Sequence, residues 1–221
     1  MNREKENNRE LSSAEKKRSI RFEKTKKDLC EKGYEVQDLT IGIVYANVMA
    51  VVLTLPIIFC LAALYYFCNQ DFFERMESVP AEKVLVTLIL FWVLLLVLIV
   101  VHELIHGITW SLFAKKRWKS ISFGFIAQYM TPYCTCDEAL RKGQYVAGAL
   151  MPTIMLGIVP AVISIITGSI FLFGIGAFML MSGGGDLTIV LKLMRFRTKG
   201  KEVLYLDHPY QAGLVAFVKE Y

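Results

Sequence analysis

The sequence predicts an all-α membrane protein of four transmembrane helices, with a small cytoplasmic β-like hairpin between the second and third. Three observations carry that prediction. The chain of 221 residues is 55% hydrophobic, with a mean hydropathy of +0.45, whereas soluble domains stay at roughly 45–50% apolar. Its apolar residues come in blocks without the spaced charges of a solvated helix face, and four blocks reach the ~20 residues that a bilayer core requires. They are Ile41 to Cys68, Val84 to Ala114, Tyr145 to Thr167 and Ser169 to Met194. Basic residues also alternate between the segments that join the blocks, as the topology of a multi-pass protein demands.

Taken in order, residues 1–40 form a charged arm rich in Lys, Arg, Glu and Asp. It has no short apolar core with a small-residue cleavage site, so it does not read as a signal peptide. The segment after the first block holds only Arg75 and Lys83 as basic groups. Lys115, Lys116, Arg117, Lys119, Arg141 and Lys142 follow the second, no charge separates the third from the fourth, and Arg195, Arg197, Lys199 and Lys201 follow the fourth. That rhythm places both termini in the cytoplasm of a multi-pass cell-membrane protein. It also explains the net charge of +5 without nucleic acid. The expected organisation is an arm over 1–40, a four-helix membrane domain over 41–195 and a cytoplasmic tail over 196–221.

The second span is long. As a helix, Val84 to Phe113 would measure about 45 Å against a ~30 Å hydrocarbon core, so it tilts or protrudes. Ile121 to Tyr133, with β-branched and aromatic residues in partial alternation, reads as a short strand or hairpin. Pro152 and Pro160 should kink the third span and free carbonyls near any site they face. The run Ser182-Gly183-Gly184-Gly185-Asp186 should loosen the fourth or let another backbone approach closely. The five cysteines, an odd number without secreted-domain spacing, read as reduced thiols. Cys134 and Cys136 make a lone C-x-C with no matching second pair, and inert thiols are the simpler reading.

The chemistry lies in His102-Glu103-Leu104-Ile105-His106. Helix positions four apart share one face, so both imidazoles can reach one Zn²⁺, and the Glu between them is the general base of a metallopeptidase. All three ionisable groups fall in the inner half of a membrane span, where each costs at least ~2.5–3.5 kcal/mol on insertion scales and marks function by default. A catalytic zinc takes three protein ligands and keeps one position open. Asp186 is the candidate third ligand, since Glu103 and Asp186 are the only carboxylates within the four spans. Their depths agree: His106 lies roughly 13 Å before Lys115, and Asp186 roughly 9–14 Å before Lys192 and Arg195. The rival readings are that Asp186 orients a His ligand from outside the coordination shell or merely caps a broken helix. His208, the third His, sits in a D-H-P turn of the tail; Asp137, Glu138 and His208 are the fallback donors at the membrane surface.

These motifs resemble two groups of proteins. H-E-L-I-H-G in one membrane helix and a glycine-flanked Asp in a later one resemble the site-2 type of intramembrane metalloprotease. The order H-E-L-I-H-G, Ile121-Ser122-Phe123-Gly124, Pro152, Gly185-Asp186-Leu187 and Asp207-His208-Pro209 resembles a bacterial family of putative zincin peptidases, over nearly the whole chain after Gly33. Both resemblances imply a zinc-dependent peptidase acting on a membrane or membrane-associated protein. Two other classes stay open: a non-catalytic transport or immunity component that retains a metal site, and a metal-dependent hydrolase of a lipid-linked substrate. A closed structural zinc site has no need of a Glu beside its His, so Glu103 favours an enzyme.

Overall fold

The computed structural model describes residues 12–77, 79–126 and 131–220. Three of its helices are long and apolar enough to cross a membrane: α2 (Ile43–Cys68), α4 (Ala81–Phe113) and α5 (Lys142–Thr167). A short α3 (Phe72–Glu77) links the first two. The fourth expected span is broken. Helices α6 (Ile170–Ser182) and α7 (Gly184–Arg195) meet at Gly183 with a bend of 47°, so the count rises to four if the pair is one span. A Cβ on Gly184 would fall 2.5 Å from that of Ala50. Only a glycine lets α7 pack this closely on α2, and the contact carries Asp186 inward.

Helix α5 contains a π-helical stretch, Thr153–Ile158, directly after Pro152. Proline supplies no N–H to the carbonyl four residues back and crowds it, which favours the wider turn. The carbonyl thereby released is that of Gly148.

The expected hairpin is present as β2 (Ile121–Ile126) and β3 (Thr131–Cys136), paired antiparallel with Phe123 opposite Cys134; residues 127–130 between them lie outside the described residues. The all-α expectation is too narrow, however. A second, four-stranded antiparallel sheet has the order β1-β6-β5-β4, formed by Glu35–Thr40, Gly213–Glu220, Lys201–Asp207 and Leu140–Arg141. The charged arm and the tail, read from sequence as separate polar segments, pair with each other through Glu35 opposite Val218 down to Thr40 opposite Gly213.

Alternation along the strands gives this sheet two apolar faces. Val203, Tyr205, Leu214, Ala216 and Val218 pack toward Trp110, Tyr145, Ala149, Val190 and Leu193 at the helix ends. Leu204, Leu206, Val215 and Phe217 pack instead under helix α1 (Ser13–Glu31), whose Phe22 and Leu29 cover them. Helix α1 starts at a capping box in which Ser12 and Glu15 satisfy each other's main-chain amides, an arrangement worth about 1 kcal/mol. The start of α2, the end of α4, the start of α5 and the end of α7 all lead into strands. One end of the helix bundle is thus closed by sheet and hairpin together.

Candidate metal centre

Helix α4 presents two adjacent faces near its C-terminal end. His102 and His106, 4% and 3% exposed, share one. Glu103 and Gly107 share the next, where Gly107 meets the side chains of Phe123, Ile121 and Cys134 from the hairpin. Asp186 enters on the first turn of α7. Its Oδ2 lies 3.3 Å from His102 Nε2 and 3.4 Å from His106 Nε2, and the two imidazole nitrogens are 3.2 Å apart. These form the one such His/Cys/Asp/Glu group among the described residues.

The triangle fits a metal ion. Tetrahedral coordination at zinc's bond lengths of about 2.0–2.2 Å sets neighbouring donors about 3.3–3.6 Å apart, close to the observed edges of 3.2, 3.3 and 3.4 Å. The orientation of His106 fits as well. Its Nδ1 donates to the Gly148 carbonyl at 2.8 Å, so a neutral imidazole turns a lone pair toward His102 and Asp186. Lone pairs and a carboxylate converging on one buried point call for a cation. This carbonyl is the one that Pro152 releases, so the sequence expectation of a freed carbonyl near the site is met in detail.

Further contacts fix the ring. Trp110 stacks on His106 with centroids 5.0 Å apart and planes 14° apart, and its indole N–H donates to the Tyr145 carbonyl at 3.2 Å. A Cβ on Gly148 would lie 1.9 Å from Trp110 Nε1, so only glycine admits the indole here. Where such contacts hold a metal ligand, losing one typically costs about 10–100-fold in metal affinity. On the other face, the Cys134 main-chain N–H is directed at the Glu103 carboxylate.

The remaining candidates are placed elsewhere. Cys134 and Cys136 are buried free thiols. Burial raises the pKa of Cys134 and pushes that of Cys136 up to about 12, with neighbouring carboxylates adding to both, so both stay protonated and unreactive. His208 Nδ1 accepts the Gln211 amide at 2.9 Å, a turn-forming contact away from the three donors. Glu138 accepts the amides of Lys115 and Lys116 at 2.8 and 2.9 Å, and Asp137 pairs with Arg21 and Ser122. Sequence reasoning passed over Trp110, Gly148 and Tyr145. A proline four residues after a glycine was the available signal for Gly148; the other two are ordinary aromatics until the helices are packed.

Neither the curated proteins nor the solved structures contain a match to this chain. Residues 95–200 match a family model described as putative zincin peptidase. That stretch, just under half of the chain, holds His102, Glu103, His106, Gly148 and Asp186.

Proposed function

We propose that the chain is a multi-pass membrane zinc peptidase that hydrolyses peptide bonds of membrane or membrane-associated proteins, with both termini in the cytoplasm. The observation that carries this reading is the convergence of two imidazoles and one carboxylate at 3.2–3.4 Å beside Glu103. His102, His106 and Asp186 would hold the ion, which supplies a Lewis acid for a peptide carbonyl and brings the pKa of water toward about 7. This arrangement also supports the likeness to site-2-type enzymes, since Asp186 comes from a later, broken helix.

Glu103 acts on the proton. Its carboxylate takes one from the attacking water as the new C–O bond forms, then returns it to the leaving amine as the C–N bond breaks. Cys134 and Cys136 turn their amides to the same edge of β3, away from β2, toward Glu103 and Asp207. An extended substrate laid along that edge would bring its carbonyls over Glu103 and the three donors, and Glu103 would yield the Cys134 amide to it.

Metal analysis of the purified protein tests the reading. Wild type should hold one zinc, His106→Ala should hold none, and Asp186→Asn should bind at least 10–100-fold more weakly. Glu103→Gln should keep its zinc, lose turnover and trap uncut membrane proteins that a proteomic comparison identifies. Undiminished hydrolysis by Glu103→Gln would sink the mechanism.

A further inference from the structure

Asp207 lies beyond the matched family segment, at the end of β5, and touches none of the three donors. Its carboxylate nevertheless joins the two elements that address them. Oδ1 accepts the Tyr145 hydroxyl at 2.5 Å, and Oδ2 accepts the Cys136 main-chain N–H at 3.1 Å. Tyr145 is in the first turn of α5, three residues before Gly148, whose carbonyl holds His106. Cys136 is two residues along β3 from Cys134, whose amide faces Glu103. A single carboxylate therefore fixes the rotation of α5 beneath His106 and the sliding of β3 beside Glu103.

We propose that Asp207 is a positioning residue for the metal centre, orienting His106 through α5 and Glu103 through β3. This rests on reading the centre as a zinc site. A carboxylate accepting two hydrogen bonds locks both neighbours, because each N–H or O–H has one direction of best approach. Helix and strand are rigid over one turn or two residues, so a shift at Tyr145 or Cys136 reaches Gly148 and Cys134 undiminished. The two arms are separable by mutation. Tyr145→Phe cuts only the α5 arm and leaves the Tyr145 carbonyl bonded to Trp110. Asp207→Asn keeps the volume but retains one acceptor oxygen for two donors, so it loosens both arms.

The test uses the full-length protein in detergent, with zinc affinity measured by competition against a chromophoric chelator. In parallel, hydrogen exchange of the β3 amides is followed by mass spectrometry without metal. Tyr145→Phe should weaken zinc binding about tenfold, the lower end for an outer contact, with β3 exchange unchanged. Asp207→Asn should weaken binding at least as much and also speed β3 exchange. General destabilisation would instead lower the melting temperature with no such split between the arms. Wild-type zinc affinity in a folded Tyr145→Phe protein overturns the proposal, even where Asp207→Asn fails to fold. A wild type that binds no zinc sinks the zinc reading instead, and the exchange arm still reports whether Asp207 holds β3.

Discussion

Over residues 81–98, helix α4 buries one residue, Leu95; over residues 99–113 it buries His102, His106, Gly107, Thr109 and Trp110. Both stretches belong to one helix that is long and apolar enough to cross a membrane. Their surroundings differ. The first stretch, the outer half under the proposed topology, touches protein mainly along Leu95 and Phe91, against Ile175 and Met179 of α6. Hairpin, sheet, α5 and α7 enclose the inner half. In lipid, hydrophobic burial does not draw helices together, so close packing follows small and polar residues instead. The inner half carries such residues at His102, His106, Gly107 and Thr109, and residues 88–98 carry none. The chemistry of α4 is thus set by what packs around its last four turns.

If enclosure governs the inner half, a single methyl there should do the most damage. Gly148→Ala places its Cβ 1.9 Å from Trp110 Nε1, within a closely packed turn of helix. Overpacking of this kind costs typically 1–3 kcal/mol. The larger consequence is functional, because the indole must leave His106 and the Gly148 carbonyl must shift. Zinc stoichiometry after gel filtration should fall to near zero. A variant with full zinc content would show that the inner packing is loose and remove the contrast between the halves.

Pro152→Ala probes the same contact more gently. It restores an N–H that competes with His106 for the Gly148 carbonyl, while relieving the proline penalty within α5. Zinc affinity should drop several-fold as the melting temperature rises. Affinity and stability moving in opposite directions would distinguish a lost ring contact from lost folding.

The sequence made the donors legible because ionisable groups stand out against twenty apolar neighbours. His102, Glu103, His106 and Asp186 needed only spacing and depth. The four-stranded sheet was not legible in the same way. Its β1 and β6 are about 180 residues apart, and β4 is two residues long. The run Leu214 to Val218 is buried on both faces, so it lacks the alternation that marks a half-exposed strand. The contact between Asp207 and Tyr145 was hidden for the same reason, since it spans 62 positions between a strand and a helix that local pattern does not connect.

The sheet that closes the inner end should carry a pH dependence that the outer half lacks. His208 sits against Phe22 under α1. Burial lowers its pKa to about 4, with the charge on Arg18 lowering it further and Asp38 opposing. The unfolded chain takes up a proton near pH 6.5, and the folded one only near 4. Stability from this group is therefore complete above pH 6.5 and is lost as pH falls toward 4. His208→Asn supplies an amide oxygen to accept the Gln211 N–H yet cannot titrate. Melting curves between pH 7 and 4.5 should slope less steeply for the variant; parallel curves would exclude His208 as the cause.

The smallest effect is expected at Leu96, next in sequence to the buried Leu95 but turned about 100° away from it around α4. Leu96 is 69% exposed, and under the membrane reading its neighbours are lipid chains. Leu→Ala there removes methyl groups from a surface that lipid refills, so no protein cavity forms and the cavity cost of core truncations does not arise. Melting temperature and zinc content in lipid nanodiscs should match wild type, with stability changed by no more than about 0.5 kcal/mol. A much larger loss would mean that protein, not lipid, covers this face. The outer half of α4 would then be an interface with a second copy or another membrane protein, and its difference from the inner half would lie in which chain encloses it.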